Sequence, residues 1–219
     1  MPRTTKVKPQ RKKPSRRPLY SVHPGVEMVR KRIDELPAKT GNSLEQWIKL
    51  IRRLGGTSVE ERLEWLKREH GMGTNSAWWI AERASSGETR TVDDDPETYL
   101  EAAKQYVEKM YSGGKAGLRP IYEKLLDLGL SLGDDVKACP CQTIVPLYRN
   151  HVFAQLKPTT RTRLDLGLAL RNAPFSDRLI DTGGLAKNDR ITHYIRIGSL
   201  KEIDAEVKRW LMAAYELDK

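Results

Sequence analysis

Apolar residues recur at helical spacing through the first third of the chain and switch to strict alternation in the last third. From Pro24, a residue suited to the first turn of a helix, Val26, Val29, Ile33 and Leu36 form one stripe that stops at Pro37. A second stripe of Leu44, Trp47, Ile48, Ile51 and Leu54 opens after Asn42 or Ser43 and ends at Gly55–Gly56. Ser58 and Glu61 make a capping box ahead of Val59, Leu63 and Leu66. A fourth helix from about Thr74 presents Ala77, Ile80, Ala81 and Ala84. Trp47, Trp65, Trp78 and Trp79 read as the core and rim of this four-helix unit, with a base-stacking platform as the alternative.

Residues 86–95 are a polar linker ending in an N-cap: Asp95 precedes Pro96, with Asp93, Asp94 and Glu97 near the positive end of the helix dipole. That helix carries Tyr99, Ala103, Tyr106, Val107 and Met110 and stops at Gly113–Gly114; another starts at Pro120 with Ile121, Leu125 and Leu128. Then the period changes. Leu164, Leu166, Leu168 and Leu170 alternate with Asp165, Gly167 and Ala169, as a half-buried strand requires. Thr143–Tyr148 and His151–Lys157 predict two preceding strands joined at Arg149–Asn150, with Pro146 marking an edge or a bulge. Ile191–Ile197 is a further strand, and Ser199 with Glu202 caps a last helix bearing Ile203, Val207, Trp210, Leu211 and Ala214. The expected class is α+β: a tail over 1–19, a small helical domain over 20–85, the linker, and a helix–antiparallel-sheet–helix domain over 96–219.

Charge changes the picture only once it is located. Eight cations (Arg3, Lys6, Lys8, Arg11, Lys12, Lys13, Arg16 and Arg17) precede the first acid and account for most of the net charge of +10. Pro2, Pro9, Pro14 and Pro18 interrupt them, so this segment buries too little to offset its ordering entropy and is expected to be disordered. A flexible polycation suits phosphate-rich polymers, because each phosphate it neutralises releases condensed counterion. No run of roughly 18 apolar residues is present, which argues against a membrane partner. Two cysteines, Cys139 and Cys141, make no disulfide framework and fit a reducing cytoplasm.

Lys39-Thr40-Gly41 through Trp47, then Leu66 and Gly71-Met72-Gly73 to Ala77, resembles a small bacterial helical domain of unknown function. Phe153-Ala154, the Leu164–Leu170 strand, Thr192-His193, Ile203-Asp204 and Ala214-Tyr215 resemble a second uncharacterised family, often C-terminal and sometimes labelled a predicted transport protein. These resemblances imply architecture and supply no catalytic residues. Gly71-Met72-Gly73-Thr74 is also similar to the hairpin of helix-hairpin-helix DNA-binding motifs, with Ala77 and Ile80 docking the second helix. Two glycines permit a tight turn whose N–H groups, beside a helix N-terminus, can hold a phosphate oxygen without reading bases. Glu69 departs from that pattern, and no cation follows Gly73 in the loop. A turn that serves packing alone is the competing reading.

Other chemistry is sparser. Arg163, Arg171, Arg178, Arg190 and His193 surround the loop 171–190 and suggest an anion pocket beside the sheet, against a solvated loop of neutralised charges. Cys139-Pro140-Cys141 with His151 and His193 invites a zinc reading, but one intervening residue is short for a knuckle, so no metal or cofactor is expected. Walker, dinucleotide and metalloprotease motifs are absent. The leading expectation is a non-enzymatic, nucleic-acid-associated accessory protein, bound to ribosomal RNA or DNA through Arg3–Arg17 and Gly71, Gly73 and Thr74. A ligand-binding or enzymatic module using His193 and the arginine-rich loop, and a protein-interaction adaptor, are the alternatives.

Overall fold

In a computed structural model of the protein, residues 18–86 and 94–219 are described; the segment expected to be disordered lies outside them except for its last two residues, as does most of the linker. Helix α1 runs from Pro24 to Thr40, so the expected stop at Pro37 is wrong by one turn. Proline near a helix end removes one backbone bond. The last turn keeps a backbone bond, from the Gly41 N–H to the Pro37 carbonyl at 2.8 Å, and side chains reinforce it: Thr40 Oγ1 donates to the Leu36 carbonyl at 2.8 Å and accepts from Trp47 Nε1 at 2.8 Å. Gly41, at φ 78°, then ends the helix.

Helix α2 (Leu44–Arg52) starts at Ser43, which caps reciprocally with Gln46. Leu54 falls beyond its end and is exposed, contrary to its place in the expected stripe. The Ser58–Glu61 box opens α3 (Val59–His70), and α4 (Thr74–Ser86) packs back along it. Leu36, Leu44, Trp47, Ile48, Ile51, Leu66, Met72, Ala77, Ile80, Ala81 and Ala84 form one buried cluster, with Trp65 and Trp79 on its margin. Trp78 points to solvent.

Asp95 caps α5 (Pro96–Met110) by accepting from the Thr98 N–H, and a 3₁₀ turn over Gly113–Leu118, which no periodicity announced, leads into α6 (Arg119–Leu130). Six antiparallel strands follow in the order β1-β2-β3-β4-β6-β5. They are β1 Lys137–Ala138, β2 Val145–Tyr148, β3 Val152–Pro158, β4 Leu164–Leu168, β5 Ile180–Asp181 and β6 His193–Ile197. Pro146 sits where the two-residue β1 has already ended, and the register shifts between Leu147 and Tyr148. Cross-strand partners share a face. Leu147, Ala154, Leu168 and His193 therefore lie together, as do Val145, Leu156, Leu166 and Ile195, and this face packs under α6 and α7 (Ala205–Glu216). The opposite face carries Gln155, Lys157, Asp165, Tyr194 and Arg196. Ser199 and Glu202 close only a 3₁₀ turn, Leu200–Glu202; α7 is capped one turn later by Asp204, which accepts from the N–H groups of Glu206 and Val207.

The approach to α1 packs on the α+β part rather than on the other helices. Tyr20 and Tyr122 hydroxyls lie 3.0 Å apart, the Ser21 N–H donates to the Ala138 carbonyl, and Val26 is buried against Tyr99 and Ala103. His23 caps α1, its Nδ1 accepting from the Gly25 N–H and its Nε2 lying 3.0 Å from the Tyr148 hydroxyl. The stripe expected on α1 is thus divided, Val26 serving one core and Leu36 the other. Arg83 at the end of α4 and Asp94 before α5 form a buried, two-pronged ion pair.

Candidate nucleic-acid interface

The turn between α3 and α4 is built by backbone chemistry. Gly71 takes the left-handed conformation, φ 59°, that a residue with a Cβ enters at a cost of about 1–2 kcal/mol. Its N–H and that of Met72 both return to the Leu66 carbonyl, closing α3, and Met72 is buried against the helical core. The chain then needs no further left-handed residue. The Gly73 carbonyl accepts from Ser76 and Ala77 and starts α4. Among the described residues no backbone or side-chain acceptor meets the N–H groups of Gly73, Thr74 and Asn75, and all three residues are exposed. They stand at the positive end of a 13-residue helix.

The cation missing from this loop in the sequence arrives from α1. Arg32 Nη2 donates to the Asn75 carbonyl at 3.0 Å, and its guanidinium lies 4.6 Å from the centre of the Trp79 ring. Forty-three positions separate Arg32 from Asn75, so no local pattern announces it. His70, in the last turn of α3, packs edge-on against Trp47 and Trp65 with ring centres 4.7 and 4.5 Å away. Glu69, the departure from the hairpin pattern, is exposed and paired with Arg68. The remaining expected contacts, Arg3, Lys6, Lys8, Arg11, Lys12, Lys13, Arg16 and Arg17, lie outside the described residues.

The arginine-rich pocket does not assemble. Arg163 pairs with Asp165 at 2.9 Å. Arg178 pairs with Asp204 at 2.5 Å and Glu206 at 2.9 Å, tying the start of α7; its guanidinium, with the two capping N–H groups, holds the Asp204 carboxyl below the usual carboxylate range. Arg190 pairs at 2.6 Å with the buried Asp218, which also receives the His151 N–H. His193 is fully buried on the helix-covered sheet face, with Nε2 donating to the Ala173 carbonyl at 3.0 Å and Nδ1 2.7 Å from Thr192 Oγ1. Each group has taken a separate local partner. Arg171 and Arg190 do line a cleft of about 230 Å³ there, with Asn188 and Thr192, but Arg163, Arg178 and His193 are not part of it.

Nor do Cys139, Cys141, His151 and His193 converge. Among the described residues no group of three or more His, Cys, Asp or Glu side chains is placed to hold a metal ion. Cys139 is buried, and that burial pushes its thiol up to about 12, far from a reactive thiolate.

The fold is therefore a helical module joined through α1 and α5 to an α+β module. A family model described as Domain of unknown function (DUF5655) matches residues 107–218, just over half of the chain, and the protein belongs to that family. Ahead of it, a model described as Domain of unknown function (DUF4287) matches residues 29–85. No curated protein and no solved structure matches the chain. Among the described residues no helix is long and apolar enough to cross a membrane.

Proposed function

We propose that the protein binds the phosphate backbone of nucleic acid, as a non-catalytic accessory factor. The observation that carries this reading is the α3–α4 corner, where three N–H groups without an acceptor among the described residues meet the positive end of α4 beside Arg32. Such a corner is complementary to a phosphate oxygen and indifferent to base identity. The eight cations of residues 3–17 supply the long-range, salt-sensitive part of the affinity. Nucleic acid and a reducing medium for the thiols of Cys139 and Cys141 are both found in the bacterial cytoplasm, where we locate this role. RNA and DNA present the same backbone charge, so the ribosome and the chromosome are both partners of the right chemistry.

Thr74→Glu tests the corner. Thr74 is exposed, and a carboxylate in the first turn favours the helix, so folding is retained while the anion site is blocked. Duplex or RNA affinity, read by fluorescence anisotropy, should fall about tenfold, the worth of a charge-assisted hydrogen bond. Unchanged affinity in a folded Thr74→Glu variant removes the corner from the interface.

A further inference from the structure

Two hollows lie side by side along α5, and their chemistry is opposite. The first, about 330 Å³, is formed by His23, Val26, Val29, Tyr99, Tyr106 and Pro140, with Cys141 and Gln142 at its edge. Three rings, His23, Tyr99 and Tyr106, are among the residues that line this slot, the first two tilted by 57° with centres 6.2 Å apart. Tyr99 is buried, its hydroxyl committed to the Pro140 carbonyl at 2.9 Å, and forms part of the slot's wall, while Tyr106 is half-buried. The second, about 800 Å³, is lined by Lys109, Lys115 and Lys157 with Ser112, Thr143 and Thr159. Tyr106 and Gln142 line both.

The lysines are what distinguish this place. Several arginines of the α+β part are committed to carboxylates: Arg119 to Glu108 and Glu123, Arg149 to Asp135, Arg178 to Asp204 and Glu206, Arg190 to Asp218. No acidic residue lines the second hollow. Lys115 Nζ donates one hydrogen bond, to the Pro158 carbonyl at 2.6 Å, which aims the ammonium and leaves it two more donors. Lys109 and Lys157 are exposed, and neither is in an ion pair among the described residues. Asp165, the cross-strand partner of Lys157, is held by Thr159 at 2.6 Å and by Arg163. Lys109 stands one turn after Tyr106 on α5, so the aromatic slot and the cations share one helix face.

We propose that this composite site binds a free nucleoside phosphate. The base enters the slot against Tyr99 and Tyr106, where burial and stacking favour any flat ring. Gln142 at the seam offers both a donor and an acceptor to its edge. The phosphates lie over Lys109, Lys115 and Lys157. The slot falls within the ~300–1,000 Å³ range of small-molecule pockets, and its position where two modules meet is a common one for such sites. The apolar half exists only in the joined chain. His23 and Val26 precede the first family match, and Tyr99 and Tyr106 lie between the two, whereas the lysines belong to the second.

The test is titration of the full-length protein with ATP by calorimetry, with adenosine and inorganic phosphate as the two half-ligands. One saturable site is expected, with each half-ligand at least tenfold weaker. Lys109→Ala, Lys157→Ala and Tyr106→Leu should each weaken ATP by about tenfold, the last keeping apolar bulk while removing the flat face. Lys201→Ala, exposed and remote from both hollows, should have no effect. The cationic residues 3–17 are common to all variants, so differences among them report on the site alone. Saturable binding that none of the three substitutions weakens, adenosine binding as tightly as ATP, or no saturable binding overturns the proposal. Displacement of ATP by a short single-stranded oligonucleotide with equal affinity per site also overturns it, in favour of a strand-end site.

Discussion

Arg83 and Asp94 tie the end of α4 to the start of α5. Both side chains are nearly out of solvent, at 9% and 5% exposure, and the guanidinium grips the carboxylate with two nitrogens while lying 4.6 Å from the centre of the Trp79 ring. Asp94→Ala strips a buried cation of its bidentate partner. Breaking a buried pair in this way costs about 3–5 kcal/mol, most of it the penalty of a poorly compensated charge. For a chain of this size each kcal/mol lowers Tm by about 2–4 °C, so a drop of about 6–20 °C is expected in differential scanning calorimetry. Replacing both residues, Arg83→Met with Asp94→Leu, removes the charge along with its partner and should recover most of that loss. Trp79 reports the same event by fluorescence in a urea titration. A single Asp94→Ala variant within about 0.5 kcal/mol of the parent, or a double variant no more stable than the single, refutes the reasoning.

Three further substitutions probe separate parts of the structure. Gly71→Ala forces a Cβ into φ 59° and should cost about 1–2 kcal/mol, whereas Gly73→Ala, at ordinary φ with open space around it, should stay within about 0.5 kcal/mol; thermal unfolding distinguishes them. Because Arg178 and the N–H groups of α7 lower the Asp204 pKa, its charge contributes stability that is fully present above the unfolded value of about 4 and lost as pH falls through the lower native value. Asp204→Asn should therefore flatten the acid limb of the stability–pH curve below about pH 4; an unchanged limb contradicts the pairing. Iodoacetamide should modify the half-buried Cys141 well before Cys139, whose thiol is raised by burial to about 12; equal rates in the native protein would disprove that burial.

What the sequence announced and what it concealed divide along a physical line. Signals that act within one turn were legible: the Ser58–Glu61 box, the Asp95–Pro96 start, and the alternation from Leu164 that makes β4. Where a long-range contact outweighs a local rule, the reading failed. Pro37 did not end α1, because Thr40 and Trp47, seven positions apart, hold its last turn across a helix boundary. Ser199 and Asp204 are both good caps one turn apart, and nothing local says which begins the long helix. The two-residue β5 exists only by pairing with β6. For the candidate sites, the glycine turn was visible as a motif, but Arg32, its cation, was not. The arginines that looked like a pocket found Asp165, Asp204 and Asp218 instead, partners that only the packed sheet and α7 bring near.

Backbone binding stands or falls on how affinity responds to salt. Anisotropy titrations of a labelled duplex and a labelled single-stranded RNA, repeated from low to moderate salt, give the number of phosphates neutralised directly. The full-length protein should show a log–log slope approaching about −7 on duplex if all eight cations of residues 3–17 engage, collapsing to about −1 or −2 when residues 1–18 are deleted and only the α3–α4 corner remains. Absence of binding in low salt, or a slope that survives the deletion unchanged, would contradict it.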